Sequence, residues 1–261
     1  MIICLRKVRR LGHANNNEKG SIMLTLLISL TTATTFYILI YLTTYNHLLS
    51  SIAAFLSFLA INFILGRKIL KKTSIIFKSV EKDINAQKFD QAIKKLEDGL
   101  SLSKWQFLIK KQIYAQLGII YYLKKNNEQA KSYLQKGTLR NWIAATMLAT
   151  IYFKNKDYNK MKNIMDKAIK YSKKEGFLYS LYAYYLTQIN EKNKAIEVLI
   201  KGTKKAVLDE KLQSNLEALR NGKKIKMQNY GPLWMQLNIA KMPQGIKPYQ
   251  LILANKRFKP R

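Results

Sequence analysis

The sequence predicts an all-α protein with a transmembrane helical hairpin near the N-terminus, then an α-solenoid of helix pairs, then a basic C-terminal tail. Three observations support this. A run of 45 residues, from Ser21 to Leu65, contains no Asp, Glu, Lys or Arg, although 23% of the chain is charged. No proline occurs from Thr73 to Arg220, and apolar residues there recur at the helical intervals of three and four. After Glu217 there is no acidic residue.

The charge-free run is long enough for two bilayer crossings, since one crossing needs about 20 apolar residues. Polar residues at 43–47 mark a bend within it. We therefore predict that residues 21–66 hold two transmembrane helices, at about 22–42 and 48–65. A cleaved signal peptide is one alternative, but the apolar stretch is too long and no A-x-A-like site follows it. Buried core helices of a soluble protein are the other, but the spans are apolar all round.

Basic residues flank the run on both sides, namely Arg6, Lys7, Arg9, Arg10 and Lys19 before it and Arg67, Lys68, Lys71, Lys72 and Lys78 after it. Basic flanks stay on the cytoplasmic side, so two crossings place both termini in the cytoplasm. Residues 1–20 are then a basic cytoplasmic N-terminus. The short N-terminus and the hairpin topology favour a bacterial inner membrane, with an organelle membrane as the alternative.

A local pattern recurs four times within residues 67–206. In each copy the first residue, which is small except at Met161, is followed by a bulky one four positions later and by a small one after seven. The copies are Ala92, Leu96, Gly99; Ala130, Leu134, Gly137; Met161, Met165, Ala168; and Ala195, Leu199, Gly202. These positions share one helical face, where small residues let a neighbouring helix approach. Twelve residues before the first residue of each copy stand Val80, Gly118, Ala149 and Ala183, which are separated by 38, 31 and 34 residues. We therefore predict successive αα-hairpins whose small residues pack on one another.

The best copy reads Tyr114, Leu117, Gly118, Tyr121, Ala130, Leu134 and Gly137. In these residues the chain resembles the tetratricopeptide repeat (TPR) family, whose unit is 34 residues in two antiparallel helices. The resemblance covers about residues 74–206 in four degenerate units. It departs from the family at Val80 and Asp83. The first helix of each pair is here named the leading helix, and that of the first pair would be the cytoplasmic extension of the second membrane helix. The resemblance departs also at Met161 and in lacking the closing proline.

The resemblance implies a solenoid whose first helices line a concave surface that binds partner proteins. The exposed positions of those helices would include Gln112, Gln116, Ile119, Tyr122, Thr150, Phe153, Phe177, Tyr184 and Gln188. Aromatic, amide and aliphatic groups together suit an extended peptide or a partner helix. Ordinary packing between units is the alternative role for each aromatic. The basic carboxylate clamp of some chaperone-binding members is missing from these positions.

No catalytic, cofactor-binding or metal-binding residue is predicted. Both histidines, His13 and His47, and the single cysteine, Cys4, lie outside the repeats. No phosphate-loop, dinucleotide or common zinc motif occurs. Acidic residues stand among lysines on polar helix faces, where ion pairing accounts for them. We therefore expect a protein that is not an enzyme and has no cofactor.

Residues 207–261 comprise a last helix and the basic, aromatic tail. The predicted basic positions of the tail are Lys223, Lys224, Lys226, Lys256, Arg257, Lys259 and Arg261. Aromatic residues such as Tyr230 and Trp234 are interleaved with them. The tail could have one of three roles. The apolar residues 232–235 favour docking on the last repeat with the charges outward. The alternatives are contact with anionic lipid and contact with nucleic acid, for which no named motif is present.

Together these features predict a membrane-anchored TPR-like scaffold or adaptor that binds partner proteins at the cytoplasmic face. Tethering raises the local concentration of weak partners. The alternative is a membrane-surface module that contacts anionic lipid or RNA through the basic tail. The formal net charge of +31 favours polyanions only weakly, because a solvated Lys-rich helix surface produces the same excess.

Overall fold

The computed structural model describes residues 24–105, 107–137 and 139–239. The regular elements in these ranges are all helices, which confirms the all-α prediction. The described residues form two compact units, unit 1 with residues 24–75 and 99–110 and unit 2 with residues 76–98 and 111–239. Several predicted positions lie outside the described residues, namely the basic residues from Arg6 to Lys19 and the tail residues Lys256, Arg257, Lys259 and Arg261.

Unit 1 contains α1 (Leu24–Thr44) and most of α2 (His47–Asn85), which are both long and apolar enough to cross a membrane. The bend between them is shorter than predicted, with only Tyr45 and Asn46 outside the helices. It is compact because Tyr45 takes a left-handed conformation and the Asn46 side chain accepts a hydrogen bond of 3.0 Å from the Leu48 amide. The His47 ring stacks on Tyr41 with 4.5 Å between ring centroids. The exposed His47 ring thus contacts Tyr41 at the turn, and its Nδ1 lies 3.0 Å from the Tyr37 hydroxyl.

Exposure in α1 and α2 differs from that of core helices in a soluble protein. Only 17% and 6% of their most apolar stretches are buried. Large side chains such as Leu30, Leu39, Phe55 and Phe63 are more than half exposed. The buried positions of α1 are the small residues Thr25, Ser29 and Ala33, which fall four apart on one face. The apolar character of these helices is thus directed outward, as in helices that face lipid.

The other helices are α3 (Phe89–Gly99), α4 (Phe107–Leu123), α5 (Asn127–Lys136), α6 (Trp142–Lys154), α7 (Tyr158–Tyr171), α8 (Gly176–Gln188), α9 (Lys192–Thr203), α10 (Glu210–Arg220) and the short α11 (Pro232–Met235). Two 3₁₀ segments occur at Leu100–Lys104 and Met227–Tyr230. In unit 2, each helix from α5 to α9 packs on the next helix along the chain. The alternate helices α6, α8 and α10 also contact one another in sequence. The leading helices of successive pairs are therefore neighbours.

Four turns in unit 2 share one backbone geometry. Each has three residues between helices, and the middle residue has a positive φ of 61° at Gln87, 61° at Lys125, 59° at Lys156 and 63° at Asn190. These residues step by 38, 31 and 34 positions, the same steps that separate the predicted repeat starts. The left-handed conformation costs a non-glycine residue about 1–2 kcal/mol, so four recurrences mark one structural unit used four times.

Hydrogen bonding explains why each of these turns needs a left-handed residue. In the third turn the Asp157 amide donates to the Tyr152 carbonyl over 2.9 Å, five residues back. This pairing closes the end of a helix and requires a left-handed residue one position earlier. Helix α10 ends in the same way, since the Lys223 amide donates to the Ala218 carbonyl over 2.8 Å and Gly222 has a φ of 72°. The turn geometry thus extends to a fifth helix.

The repeated residues form the core of the helix pairs. The first small residue and the bulky residue of each copy are at most 3% exposed. A β-carbon on Gly118 would lie 2.5 Å from Cγ of Leu134, and one on Gly137 would lie 3.0 Å from the Ala115 backbone. At Gly118 the small residue of the leading helix therefore receives a bulky side chain from the second helix, and at Gly137 a small residue lies against Ala115 of the leading helix. The reason is that packed helices interdigitate, so a small residue forms the hole that a large one fills.

Candidate partner-binding surface

Residues 227–239 of the chain, here named the docked segment, lie against the leading helices of unit 2. The segment contacts α8, α6 and α4, the helices that carry the predicted binding positions. Its buried side chains are Met227, Tyr230, Trp234, Gln236 and Leu237. The surface that the sequence assigns to a partner is therefore partly occupied by the chain itself.

Local sequence explains the shape of the docked segment. The 3₁₀ turn Met227–Tyr230 ends at Gly231, whose φ of 51° suits glycine. Pro232 then begins α11, a position where proline costs no hydrogen bond. Because of this turn and short helix, the rings of Tyr230 and Trp234 lie on the side of the segment that faces α8.

The first contact is made by Tyr230 at the start of α8. Its ring meets Phe177 edge-on, with centroids 5.2 Å apart, and its hydroxyl lies 2.9 Å from the Ser180 hydroxyl. Asn215 of α10 donates to Ser180 over 3.2 Å and accepts from the Lys226 amide over 3.0 Å. Since Ser180 and Asn215 are almost fully buried, this network fixes the start of the segment in one position.

Two acidic residues, Asp209 and Glu175, border this network. The Tyr230 hydroxyl lies 3.3 Å from both carboxylate oxygens of Asp209, which also caps α10 by accepting from the Leu212 amide over 3.0 Å. Burial, followed by the charge of Asp209, raises the pKa of Glu175 above its ordinary range. Burial also raises the pKa of Tyr230, so its phenol stays protonated as a donor.

The second contact is made by Trp234, which is 4% exposed. Its ring meets Tyr184 of α8 edge-on, with 4.9 Å between centroids. The indole nitrogen has no hydrogen-bond partner among the residues that the structure describes. Trp234 is therefore held by apolar and aromatic contact rather than by a polar one.

The third contact recognises backbone. Tyr122 of α4 donates its hydroxyl to the Leu237 carbonyl over 2.6 Å. The Lys154 ammonium at the end of α6 reaches the carbonyls of Leu237, at 3.2 Å, and Asn238, at 3.0 Å. Burial lowers the pKa of Lys154 and raises that of Tyr122. Two donors thus bind two consecutive carbonyls, a feature that any extended peptide can supply.

The predicted surface residues fall into three groups. Tyr122, Phe177 and Tyr184 contact the docked segment. Thr150 and Phe153 pack on Tyr185, with 2.7 Å between the Thr150 and Tyr185 hydroxyls and 4.4 Å between the Phe153 and Tyr185 rings. The remaining positions are buried Ile119, half-buried Gln116 and exposed Gln112 and Gln188.

Exposure differs from the sequence-based expectation at four of these positions. Ile119, Tyr122, Thr150 and Phe177 are at most 6% exposed. The docked segment lies over Tyr122 and Phe177. Thr150 is buried against Tyr185 of α8, the next leading helix. Partner binding at these residues stays a prediction.

Lys154 is a contact residue that the sequence alone did not identify. It follows Thr150 by four positions and so falls on the same face of α6. In a chain this rich in lysine, however, no single lysine stands out. Of the tail, Lys223, Lys224 and Lys226 are exposed, whereas Ile225 and Met227 are buried.

Comparisons with family models, with curated proteins and with solved structures found no significant match. The resemblance to TPR proteins therefore depends on the repeated residues of the sequence alone.

Proposed function

We propose that this protein is a membrane-anchored, TPR-like scaffold or adaptor that binds partner proteins at the cytoplasmic face of a bacterial inner membrane. One observation carries the proposal. The faces of α4, α6 and α8 hold a short segment of polypeptide, a turn followed by a short helix, through its backbone carbonyls and its aromatic rings. A partner peptide would use the same groups in place of the docked segment.

The chemistry of the surface supports peptide recognition. Tyr122 and Lys154 donate to main-chain carbonyls, which supply affinity without demanding a particular side chain. Phe177 and Tyr184 each meet an aromatic ring edge-on, which favours partners with aromatic anchors. The surface is therefore expected to prefer segments that present two aromatic residues on one side, as the turn and the short helix present Tyr230 and Trp234.

The anchor is supported by α1 and α2. Both are long and apolar enough to cross a bilayer, and they leave their large apolar side chains exposed. Matching basic flanks favour a hairpin with both termini in the cytoplasm. The leading helices would then stand at the cytoplasmic surface.

A solenoid is supported by the recurring turns and by the contacts between alternate helices. Stacked helix pairs bury their apolar faces only against neighbours, which leaves one continuous face open along the stack. In unit 2 that face would belong to α4, α6 and α8, where the docked segment lies.

The test is site-specific photocrosslinking of the full chain in native membranes. A benzophenone amino acid replaces Gln188, which is exposed four positions after Tyr184, and in a matched control replaces Lys167, which is exposed on α7. We expect discrete crosslinked proteins from position 188 and not from position 167, and stronger crosslinks when Trp234→Ala is added. The same products from both positions would contradict the proposal.

The exposed lysines at 223, 224 and 226 favour a second candidate, a surface module that contacts anionic lipid or RNA. Lys224 and Lys226 alternate with buried Ile225 and Met227, so these two charges share the exposed side, and Lys223 is exposed beside them. Replacing the three lysines by glutamine would abolish salt-sensitive binding to acidic vesicles or RNA if this candidate is right. Crosslinks from position 188 would be unaffected.

A further inference from the structure

An apolar cavity of about 390 Å³ lies within unit 1. It is bounded by α2 just beyond the charge-free run and by the residues of the 3₁₀ segment Leu100–Lys104 and Trp105. Its volume falls in the range of about 300–1,000 Å³ that is typical of small-molecule sites. The residues that line it include none of the repeated small and bulky residues and none of the docked segment.

The walls of the cavity are apolar and are held in place. Leu65, Ile69 and Ile75 line one side, and Leu102 and Trp105 line the other. The Thr25 hydroxyl, which is buried, donates to the Trp105 carbonyl over 3.1 Å. This bond ties the wall that contains Trp105 to the start of α1.

Three lysines complete the lining, namely Lys68, Lys71 and Lys72, and all three are exposed. No Asp or Glu occurs in the sequence between Glu18 and Glu81 or between Asp98 and Glu128. The described part of unit 1 therefore contains no carboxylate that could neutralise these ammonium groups. Their charge is complementary to that of an anionic ligand.

The position along the chain identifies the source of that anion. Leu65 is the last residue of the charge-free run and Arg67 is the first charged residue after it. The cavity thus lies where the hydrocarbon region would end, the level at which tryptophan is enriched in membrane proteins. An apolar slot with a cationic mouth at this level matches an acyl chain joined to an acidic headgroup.

We propose that this cavity binds an anionic phospholipid of the cytoplasmic leaflet, with an acyl chain against Leu65, Ile69 and Trp105 and the headgroup phosphate at Lys68, Lys71 and Lys72. The site rests on the membrane insertion proposed above. A free phosphate would leave the apolar walls uncovered, and a zwitterionic lipid would leave the lysines without net charge compensation.

The experiment is native mass spectrometry of the full chain in detergent, titrated with phosphatidylglycerol or phosphatidylcholine. We expect the first phosphatidylglycerol to bind at least tenfold more tightly than phosphatidylcholine. Replacing the three lysines by glutamine (K68Q/K71Q/K72Q) should remove this preference, and Leu102→Trp, which fills the slot, should weaken binding of both lipids. The matched control K167Q/K170Q/K201Q, three exposed lysines of unit 2, should behave as the wild type.

Two results would overturn the lipid site. One is equal affinity for the two lipids in the wild type, and the other is an unchanged preference in K68Q/K71Q/K72Q. Inorganic phosphate that displaces the lipid completely at millimolar concentration would also overturn it, since the apolar walls would then contribute nothing. Circular dichroism verifies that each variant is folded.

A separate measurement distinguishes this failure from failure of the membrane anchor. Alkaline carbonate extraction of native membranes would release the protein if α1 and α2 do not cross the bilayer. A protein that stays in the membrane yet shows no headgroup preference would overturn the lipid site alone.

Discussion

The hydroxyl of Tyr122 donates a hydrogen bond of 2.6 Å to the backbone carbonyl of Leu237, a residue 115 positions further along the chain. Together with Lys154, it binds the end of the docked segment to the leading helices of unit 2. The predicted partner surface and the tail are therefore parts of one structure, and the docking of the tail can be tested through either of them.

Replacing Tyr122 by Phe removes this hydrogen bond and keeps the ring. We expect the unfolding free energy to fall by about 0.5–1.5 kcal/mol, because the Leu237 carbonyl keeps Lys154 as its second donor. Thermal unfolding of the detergent-solubilised full chain measures the change. Tyr171→Phe is the matched control, since Tyr171 is 55% exposed, and it should leave the melting temperature unchanged. Equal effects of the two substitutions would contradict the contact.

Replacing Trp234 by Ala should release the docked segment while the helix pairs stay folded. Trp234 is buried against Tyr184, and truncating a core tryptophan costs about 3–5 kcal/mol unless the site can relax. Because the segment can detach, the loss of stability in this variant is limited to the free energy with which the segment docks on the helices. Hydrogen exchange should show loss of amide protection confined to residues 227–239. Leu233→Ala, a half-buried neighbour, should have a smaller effect. Protection that stays at the wild-type level in the Trp234 variant would show that this ring does not hold the segment.

Alkaline pH should destabilise unit 2. Burial raises the pKa of Tyr122, Tyr185 and Tyr230 above the ordinary value near 10. The folded state therefore keeps phenolic protons that the unfolded state loses, so stability is fully present below pH 10 and falls as pH rises above it. The lowered pKa of Lys154 acts in the opposite direction, but it belongs to a single group whose residue is exposed. Melting temperatures from pH 8 to 11 test this, and a flat profile would refute it.

The recurring turns predict that one substitution has opposite effects at different positions. Lys156 has a φ of 59°, which glycine adopts without strain, so Lys156→Gly should raise stability by up to about 1 kcal/mol. Lys125→Gly should act in the same direction for the same reason. In the helix interior, Lys167→Gly should lower stability by about 1 kcal/mol. If all three variants lost stability alike, the shared turn geometry would be unsupported.

Much of the helical structure could be predicted from local pattern. The charge-free run gives α1 and the first half of α2, and the four-residue spacing of Ala130 and Leu134 gives the buried face of α5. These features follow from local composition and period, which act over one or two turns of helix. The choice of Leu134 as the neighbour of Gly118 was not predictable, since the offset between two antiparallel helices depends on how their side chains interdigitate.

The candidate surface was predicted only in part. The sequence indicates Tyr122, Phe177 and Tyr184 as members of one face, because they fall at related positions of the predicted leading helices. It does not indicate Lys154, which is one lysine among many, or the pairing of Tyr230 with Ser180. Those contacts depend on where a distant segment lies.

The helical character of the chain, the end of its apolar run and the spacing of its helix pairs can be read from local sequence, because each is a property of neighbouring residues. The docking of residues 227–239 on the leading helices, and the cavity that Lys68, Lys71 and Lys72 share with Trp105, are visible only in the folded chain. Such contacts join residues far apart in the chain, and their free energy depends on shape, burial and hydrogen-bond geometry that exist only after the helices have packed.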